Sequence, residues 1–197
     1  MAIKTIMFDL GKVVVYTDFK SLYANFAERI GLTPESVIKY HDDNRVGLFT
    51  NAITMEDAWD DLAKIGGAPR DSFTEIWEEE GLKARRIDEG MTAFIKELRK
   101  RYKVGAVSNL YESRMKIDER TGVYDNFDYA VLSCVDHVKK PDERFYRLAL
   151  SKASARPEEA LFIDDNEAYV EAASGIGIKG IVYRGLESLK AALIAYM

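Results

Sequence analysis

Residues 5–15 read Thr-Ile-Met-Phe-Asp-Leu-Gly-Lys-Val-Val-Val, an apolar run that ends in a carboxylate and is followed by glycine and a second apolar run. A short apolar segment of this kind is typical of a buried strand in a parallel sheet. Asp9 would then lie at the carboxyl end of the strand, the edge where open α/β sheets bind ligands. Gly11 permits a tight turn and a close backbone approach there. The alternative is that Asp9 merely caps the turn, and the later strand ends decide between the two.

The composition limits the classes of protein to consider. The chain has 197 residues, 47% of them hydrophobic, which allows one substantial core or a core with a small accessory domain. Its net charge of −5 argues against a general nucleic-acid binder, which needs a basic surface. The sequence predicts no membrane span and shows no secretory pattern at the N-terminus. The single cysteine, Cys134, fits a reducing, cytoplasmic location, and its apolar neighbours favour a core position over a nucleophilic one.

The segment from Phe19 to about Leu82 shows helical patterns only. Leu22, Phe26 and Ile30 recur at helical spacing, and the pattern stops at Gly31. Later helix starts are predicted at Thr33 before Pro34, at Thr54 with Asp57, and at Asp71. The segment therefore predicts a small helical bundle inserted after the first strand. Its two connections, near residues 16–19 and 82–89, are the expected hinges.

From Asp88 onward, helical stripes alternate with short apolar runs. The runs predict four further strands, at residues 103–107, 129–132, 160–163 and 180–183. Alternation with short connections implies a parallel sheet with right-handed crossovers. The predicted fold class is α/β, a Rossmann-like core with a parallel sheet flanked by helices. The predicted domains are a core of residues 1–16 and 88–197 and an all-helical cap of residues 17–87.

Chemically useful side chains follow the predicted strand ends in order. The second strand runs into Ser108, the loop after the third contains Lys140, and the fourth ends in Asp164-Asp165. Each has a simpler explanation when taken alone: a helix cap, a solvated lysine and an acidic turn. Together with Asp9, however, they form an ordered series that predicts one site at the edge of the sheet.

This set of groups suits phosphoryl transfer. Asp9 would attack phosphorus and hold the group as an aspartyl-phosphate. Asp9 and Asp165 would repel each other unless a cation lay between them, and hard oxygen ligands favour Mg²⁺. Lys140 would neutralise Asp9 and a phosphate oxygen, while Ser108 Oγ and the backbone N–H groups after Asp9 would bind the remaining oxygens. Asp164 would orient metal-bound water or Lys140.

Four motifs make the chain similar to the haloacid dehalogenase-like (HAD) hydrolase superfamily. They are Phe8-Asp9-Leu10-Gly11, Val107-Ser108-Asn109, Lys140-Pro141 and Phe162-Ile163-Asp164-Asp165. Within the superfamily, the chain most resembles the sugar-phosphate phosphatases and the amino-terminal phosphatase domains of epoxide hydrolases. The resemblance implies that the helical bundle is a cap that closes over the site and selects the substrate.

The motifs and the strand ends together assign three sets of site residues. The predicted catalytic residues are Asp9, Lys140 and Ser108. The predicted substrate-binding residues are Ser108, Asn109, Leu10, Gly11 and Lys12. The predicted Mg²⁺ ligands are Asp9, Asp164, Asp165 and Gly11, the last through the backbone carbonyl that the family uses at that position.

One position departs from the family pattern. Phosphatases of the superfamily usually carry a second aspartate two residues after the nucleophile, where this chain has Gly11. That aspartate protonates the leaving alcohol and later activates water, worth about 10²–10⁴-fold for a general acid–base. The resemblance therefore implies a slow phosphatase, or a substrate with a good leaving group, such as a sugar 1-phosphate or an acyl phosphate. Asp18 and Lys12 are the candidate replacements for the acid, and Tyr169 stands where many relatives have Asn or Asp.

Three functions remain open at this point. The leading one is an Mg²⁺-dependent phosphatase, a monomer or homodimer, acting on a small phosphorylated metabolite, with no nucleic-acid or membrane partner. The second is a 2-haloacid dehalogenase, which also lacks the second aspartate but needs no metal; two adjacent acids would repel its carboxylate substrate. The third is a binding protein that keeps the fold without efficient turnover. Four cations are candidate ligand contacts from the cap or its hinge, with a solvated surface role as the simpler interpretation: Arg45, Lys83, Arg85 and Arg86.

Overall fold

A parallel sheet of five strands forms the centre of the fold in the computed structural model, which describes residues 2–196. The strands are β1 (Thr5–Phe8), β2 (Val15–Thr17), β3 (Arg85–Ile87), β4 (Lys103–Ser108), β5 (Tyr129–Leu132), β6 (Ala160–Asp164) and β7 (Lys179–Val182). The order in the large sheet is β5-β4-β1-β6-β7, with β1 paired in parallel to both β4 and β6. The predicted α/β fold class and parallel sheet are confirmed.

Helices cover both faces of the sheet. They are α1 (Phe19–Ile30), α2 (Pro34–Thr50), α3 (Met55–Ala63), α4 (Phe73–Lys83), α5 (Glu89–Leu98), α6 (Glu112–Arg120), α7 (Ser133–Asp136), α8 (Glu143–Ala153), α9 (Glu167–Gly175) and α10 (Leu186–Leu193). Ile6 and Phe8 of β1 belong to the core cluster that includes α5 and α10, whereas Met7 belongs to the cluster with α8 and α9. Because neighbouring side chains of a strand point to opposite faces, β1 is buried on both. Within the part of the chain that is described, no helix is both long and apolar enough to cross a membrane.

The segment between β2 and β3 is helical and has its own apolar cluster around Phe26, Trp59 and Trp77. Thr33 caps α2, and Thr54 forms the predicted capping box at α3. The predicted cap at Asp71 is wrong. Asp71 lies inside a single 3₁₀ turn (Arg70–Ser72) that leads directly into α4, so its backbone has already entered helical geometry.

Two short strands at the base of the helical segment were not predicted. β2 and β3 pair in an antiparallel ribbon, with Tyr16 opposite Arg86, and the Arg86 guanidinium lies 4.8 Å from the centre of the Tyr16 ring. Both predicted hinge connections therefore run through one hydrogen-bonded ribbon. The domain boundaries at residues 17 and 87 fall at its ends and stay a prediction.

The helical segment packs against the loops and helices beyond the sheet edge. Tyr111 and Ile117, from the α6 region, share the apolar cluster of the helical segment. His137 Nδ1 lies 2.9 Å from the carbonyl oxygen of Thr50. These contacts enclose a space between the helical segment and the carboxyl edge of the sheet.

Candidate active site

Asp9 is fixed by the backbone of the central strands. Its N–H donates to the Ile163 carbonyl at 2.8 Å, which continues the pairing of β1 with β6 by one residue beyond β1. Ser108 Oγ, at the end of neighbouring β4, donates to Asp9 Oδ1 at 2.9 Å. Lys140 Nζ donates to the same oxygen at 2.8 Å. Since no described residue donates to Asp9 Oδ2, that oxygen is left for a ligand.

Lys140 lies between two carboxylates and two aromatic rings. Its side chain is 1% exposed, and Nζ also donates to Asp164 Oδ2 at 2.6 Å. Nζ lies 5.3 Å and 5.2 Å from the ring centres of Phe162 and Tyr169. Burial by itself would lower the pKa of the Lys140 ammonium, but the charges of Asp9 and Asp164 outweigh it and raise the pKa above its usual value. The lysine is therefore a fixed positive charge beside Asp9.

Asn109 holds the loop that carries Lys140. Its Nδ2 donates to the Lys140 carbonyl at 3.0 Å, and the Lys140 N–H donates to Asn109 Oδ1 at 2.8 Å. Both ends of the amide are thus used to position the lysine backbone. Asn109 also lines the cavity at the sheet edge, and its direct contact with substrate stays a prediction.

Three carboxylates meet where the metal site was predicted. One oxygen from each of Asp9, Asp164 and Asp165 lies within 4.8 Å of the other two. Both oxygens of Asp164 already have donors, Lys140 Nζ and the Asn166 N–H at 2.8 Å. Burial raises the pKa of Asp164 to about 6; the charge of Asp9 acts in the same direction, and Lys140 acts against it. A divalent cation would relieve this crowding of acids, and an all-oxygen set fits Mg²⁺.

The turn after Asp9 offers fewer free amides than predicted. The Leu10 carbonyl accepts from the N–H groups of Val14 at 2.9 Å and Val15 at 2.8 Å. The Lys12 N–H donates to the Val15 carbonyl at 2.8 Å, so the prediction that it binds phosphate is wrong for the amide. Among described atoms, the N–H groups of Leu10 and Gly11 have no hydrogen-bond acceptor and remain available. The Lys12 side chain lines the cavity instead, with Nζ 3.6 Å from Asp165 Oδ2.

The predicted replacements for the missing acid differ in position. Asp18 accepts hydrogen bonds from the N–H and the hydroxyl of Ser21 and caps α1. These bonds lower the pKa of the Asp18 carboxyl, which is fully exposed and does not line the cavity. Asp18 is therefore not the missing acid. Lys12 does line the cavity.

The side chain of Arg114 lies next to Gly11. A Cβ atom added to Gly11 would lie 3.6 Å from Asp9 Oδ2 and 3.7 Å from Arg114 Nη2. Both are ordinary contacts, so a Cβ atom fits there. Arg114, on α6, was not singled out from the sequence, because nothing in that polar helix distinguishes it from its charged neighbours.

The site opens into a cavity of about 520 Å³ between the sheet edge and the helical segment. The sheet edge contributes acids and lysines, whereas the helical segment contributes mostly aromatic residues. The lining residues from the helical segment are Phe19, Tyr23, His41, Asp42, Arg45 and Phe49. Burial lowers the pKa of His41, and its Nε2 has no hydrogen-bond partner among described atoms. The aromatic lining was missed because those residues have the same spacing as core positions.

Of the four cations predicted as ligand contacts, one lines the cavity. Arg45 does so while paired with Asp42. The other three have protein partners: Lys83 pairs with Glu80, Arg86 lies over Tyr16, and Arg85 pairs with Asp118. The simpler interpretation, a solvated surface role, is wrong for Arg85, whose side chain is buried.

Cys134 is a core residue, as predicted. It is buried in α7, with Sγ 3.9 Å from the sulfur of Met115. Burial raises the pKa of the thiol to about 12, so it stays protonated at neutral pH. It takes no part in the site.

The fold and the order of these motifs define a class of hydrolase. Residues 3–177 match the family described as haloacid dehalogenase-like hydrolase, so the chain belongs to that family. This confirms the predicted superfamily. The closer resemblance to sugar-phosphate phosphatases and epoxide-hydrolase phosphatase domains stays a prediction.

Three similar proteins illustrate the range of relatives. An HAD family enzyme of Bacteroides thetaiotaomicron, solved with magnesium and inorganic phosphate, is 20% identical with a TM-score of 0.79, over 93% of this chain and 95% of its own. The 2-haloacid dehalogenase of Pseudomonas syringae pv. tomato is 18% identical with a TM-score of 0.73, over 99% of this chain and 100% of its own. Both likenesses show the fold alone. Acyl-CoA dehydrogenase family member 10 of Mus musculus is 36% identical over 70 residues, and this chain spans only 6% of its length.

Proposed function

We propose that the protein is an Mg²⁺-dependent phosphatase that hydrolyses a small phosphorylated metabolite through an aspartyl-phosphate on Asp9. One observation carries the proposal: Asp9 has one oxygen held by Ser108 and Lys140, and its carboxylate lies within 4.8 Å of those of Asp164 and Asp165. A carboxylate in such surroundings is oriented for attack, and the adjacent acids supply a place for a cation.

Each residue has a distinct role in the proposed reaction. Asp9 Oδ2 attacks the phosphorus, because Oδ1 is held by its two donors. Lys140 offsets the repulsion between the Asp9 carboxylate and the phosphate dianion. The free N–H groups of Leu10 and Gly11 bind phosphate oxygens. The single proton of the Ser108 hydroxyl is donated to Asp9 Oδ1 and orients the nucleophile, so the predicted contact of Ser108 with phosphate requires that the hydroxyl turn from Asp9 to the substrate. Asp164 holds Lys140 in place through the 2.6 Å contact.

Magnesium fits the donor set at this edge of the sheet. Asp9, Asp165, the Gly11 carbonyl and, with a smaller share, Asp164 would hold the ion. When bound, Mg²⁺ supplies charge neutralisation for the phosphoryl group and the acids around it. Relatives of the family solved with magnesium support this assignment.

The helical segment of residues 17–87 is proposed as a cap domain. It supplies the aromatic side of the cavity, so it determines which group beyond the phosphate can be bound. Movement of the cap would bend the chain at the ends of the β2–β3 ribbon, where the two connections are held together.

A 2-haloacid dehalogenase is the second candidate. Gly11 favours it, because such enzymes also lack the second aspartate, and the dehalogenase of Pseudomonas syringae shares the fold. Arg114, next to Gly11, offers a cation for a carboxylate. The crowded acids of Asp164 and Asp165 oppose it, since dehalogenation needs no metal to relieve them. A third possibility is a binding protein that uses the same cavity without turnover.

A panel of phosphorylated metabolites tests the three functions. The proposal expects Mg²⁺-dependent phosphate release that is abolished by EDTA and by Asp9→Asn, which keeps the shape of the side chain. Chloride release from 2-chloropropionate without metal would establish the dehalogenase instead. Ligand binding with neither product formed would establish the binding protein.

The remaining proposals concern the state of the protein in the cell. A monomer or homodimer and a cytoplasmic location are proposed, the latter because the Cys134 thiol is free and buried. Size-exclusion chromatography with light scattering tests the first. Fractionation of the source cells tests the second.

A further inference from the structure

Arg114 is a guanidinium that faces the reaction site without a charged partner. Its Nη2 lies 3.7 Å from the position that a Cβ of Gly11 would take, and it lines the cavity. Its Cζ lies 5.1 Å from the centre of the Phe19 ring. Its Nε is buried and has no hydrogen-bond partner among the described residues. The Phe19 ring thus covers the group on one side, and Nη2 lies next to the turn at Gly11 that follows Asp9.

Arg114 shares the cavity with several acids but is not in direct contact with any of them. Across residues 2–196, no carboxylate forms an ion pair with it. Its neighbour Arg85 has a buried side chain and forms an ion pair with Asp118, whereas Arg114 is half-buried and has no such partner among the described residues. Desolvating an unpaired charge costs free energy unless a partner is supplied. The cavity is the side from which such a partner, an anion, can reach Arg114.

The position of Arg114 identifies which part of a substrate it would meet. The point 3.7 Å from Nη2 is also 3.6 Å from Asp9 Oδ2, the oxygen free to attack. In the family pattern this is the place of the residue that protonates the leaving group, and this chain has Gly11 there. An arginine does not release a proton near neutral pH, but it binds a carboxylate through two parallel hydrogen bonds.

We propose that Arg114 binds the leaving group and that the substrate class is the acyl phosphates, whose leaving group is a carboxylate; this rests on the proposed phosphatase function. An alkyl ester would have to leave as an alkoxide, which needs a proton that neither Gly11 nor Arg114 gives. A carboxylate leaves without one. Asp9 is itself a carboxylate, so the nucleophile and the leaving group are of similar basicity. The free energy change of the first phosphoryl transfer is therefore close to zero.

The reaction runs in two steps. Asp9 Oδ2 forms a bond to phosphorus while the bond between phosphorus and the acyl oxygen breaks, and that electron pair leaves with the carboxylate toward Arg114. Water then attacks the phosphorus of the aspartyl-phosphate. The bond from phosphorus to Asp9 breaks, its electron pair returns to Asp9, and the proton from water passes to the phosphate or to solvent. Acyl phosphate and water thus give carboxylate, inorganic phosphate and a proton.

Paired substrates and paired variants test the proposal on the full-length protein with Mg²⁺. Arg114→Gln should lower kcat/KM for acetyl phosphate by about 10²-fold, the usual effect of losing one oxyanion donor. The same variant should change p-nitrophenyl phosphate hydrolysis only a few-fold, because a nitrophenolate disperses its own charge. Arg114→Lys should recover only part of the loss, since it lacks the planar fork. Lys116→Gln, also on α6 and paired with Glu112, is the matched control and should behave as wild type.

The outcomes separate this inference from the proposed function. Equal losses on both substrates, with an unchanged melting temperature, would make Arg114 a general phosphate contact and overturn the inference alone. Wild-type preference for alkyl esters over acetyl phosphate would also overturn it. If wild type released phosphate from none of these compounds, the phosphatase function itself would be wrong.

Discussion

Lys140 is the residue on which the electrostatics of the site depend. It is the cation shared by Asp9 and Asp164, at 2.8 Å and 2.6 Å, and its side chain is 1% exposed. Without it, two neighbouring carboxylates would repel each other in a buried site that lacks a counter-charge. Its removal therefore affects both folding and chemistry.

The first prediction concerns that lysine. Lys140→Met keeps most of the side-chain volume but leaves two buried acids without a counter-charge. In EDTA at pH 7 it should lower the free energy of unfolding by about 3–5 kcal/mol, measured by urea denaturation, and abolish turnover with Mg²⁺. Lys139→Met, in the same loop, is the control and should be close to wild type. Equal stability of the Lys140 variant and wild type would contradict the described ion pairs.

The second prediction concerns Gly11. A Cβ atom makes only ordinary contacts there, so Gly11→Asp should place a general acid next to Asp9 and Arg114. Hydrolysis of a poor-leaving-group ester such as glycerol 2-phosphate should rise by up to about 10²-fold, within the range of general acid catalysis. The check is kcat/KM for that ester against p-nitrophenyl phosphate, whose rate should rise less. An unchanged ester rate would mean that the absent acid does not limit turnover.

Residues of the site differ in how far sequence alone could assign them. Ser108 and Asp164 end strands, and Asp9 and Asp165 come directly after strands, so the parallel sheet brings all four to one edge. Lys140 lies further on, in the loop after α7. Arg114 gave no such signal, because its position depends on how α6 leaves the sheet. The prediction that the Lys12 amide binds phosphate was wrong, because its N–H donates to the Val15 carbonyl and is not available to a ligand.

The elements of the core are fixed by close contacts between neighbouring strands. Gly105 in β4 faces Tyr129 in β5, and a Cβ at Gly105 would lie 2.2 Å from the Tyr129 ring. The ring is anchored, since its hydroxyl lies 3.0 Å from Thr5 Oγ1. The small residue is therefore required by packing.

Replacing this glycine gives the third prediction. Gly105→Ala should destabilise the protein by about 1–3 kcal/mol, as overpacked core sites do. Gly175→Ala, at the end of α9 with nothing within 4 Å of its added Cβ, should be neutral or slightly stabilising. Urea denaturation of both variants provides the comparison. Equal effects would show that β4 and β5 are not packed as described.

The fourth prediction concerns Glu159, just before β6, and the pH dependence of the stability that it contributes. Hydrogen bonds from Arg156 and Lys4 lower the pKa of Glu159 from 4.5 to about 2. A lowered pKa means that the unfolded chain binds the proton more readily, so the stabilisation is complete above about pH 4.5 and disappears as the pH falls toward 2. Glu159→Gln should be less stable than wild type at pH 7, and the difference should close over that window. A constant gap between Glu159→Gln and wild type would contradict the ion pairs of Glu159.

The buried strands of the core could be predicted from the sequence, whereas the short, partly exposed strands could not. The core strands are apolar because both faces of the sheet are covered, and their predicted bounds agree with the structure to within one residue. β2 and β3 were missed because each has three residues, and their pairing joins segments about 70 positions apart. Only the packing of the helical segment onto the core brings them together.

At the scale of the whole molecule, the helical segment and the sheet edge supply chemically different sides of the cavity. The sheet edge carries the charges that act on a phosphoryl group, and the helical segment carries aromatic residues that contact the rest of a ligand. The charged side of the cavity could be predicted from the sequence, because the motifs lie at or after the ends of predicted strands. The sequence could not predict the cavity, because its shape depends on how the helical segment packs against the sheet edge.

The cavity also accounts for the choice among candidate functions. Its acids favour a metal-assisted reaction, and its one unpaired guanidinium among the described lining residues, Arg114, favours an anionic leaving group. Family membership is consistent with several chemistries, so the intermediate on Asp9 is the feature that separates them.

The most direct test of the account is to trap that intermediate. Wild-type protein with Mg²⁺ is mixed with acetyl phosphate, quenched in acid within milliseconds and analysed by peptide mass spectrometry after borohydride reduction, which converts an aspartyl-phosphate to homoserine. The account predicts conversion at Asp9, dependent on Mg²⁺ and absent from Asp9→Asn. Phosphate release with no conversion at Asp9, or with conversion at another acid, would contradict it.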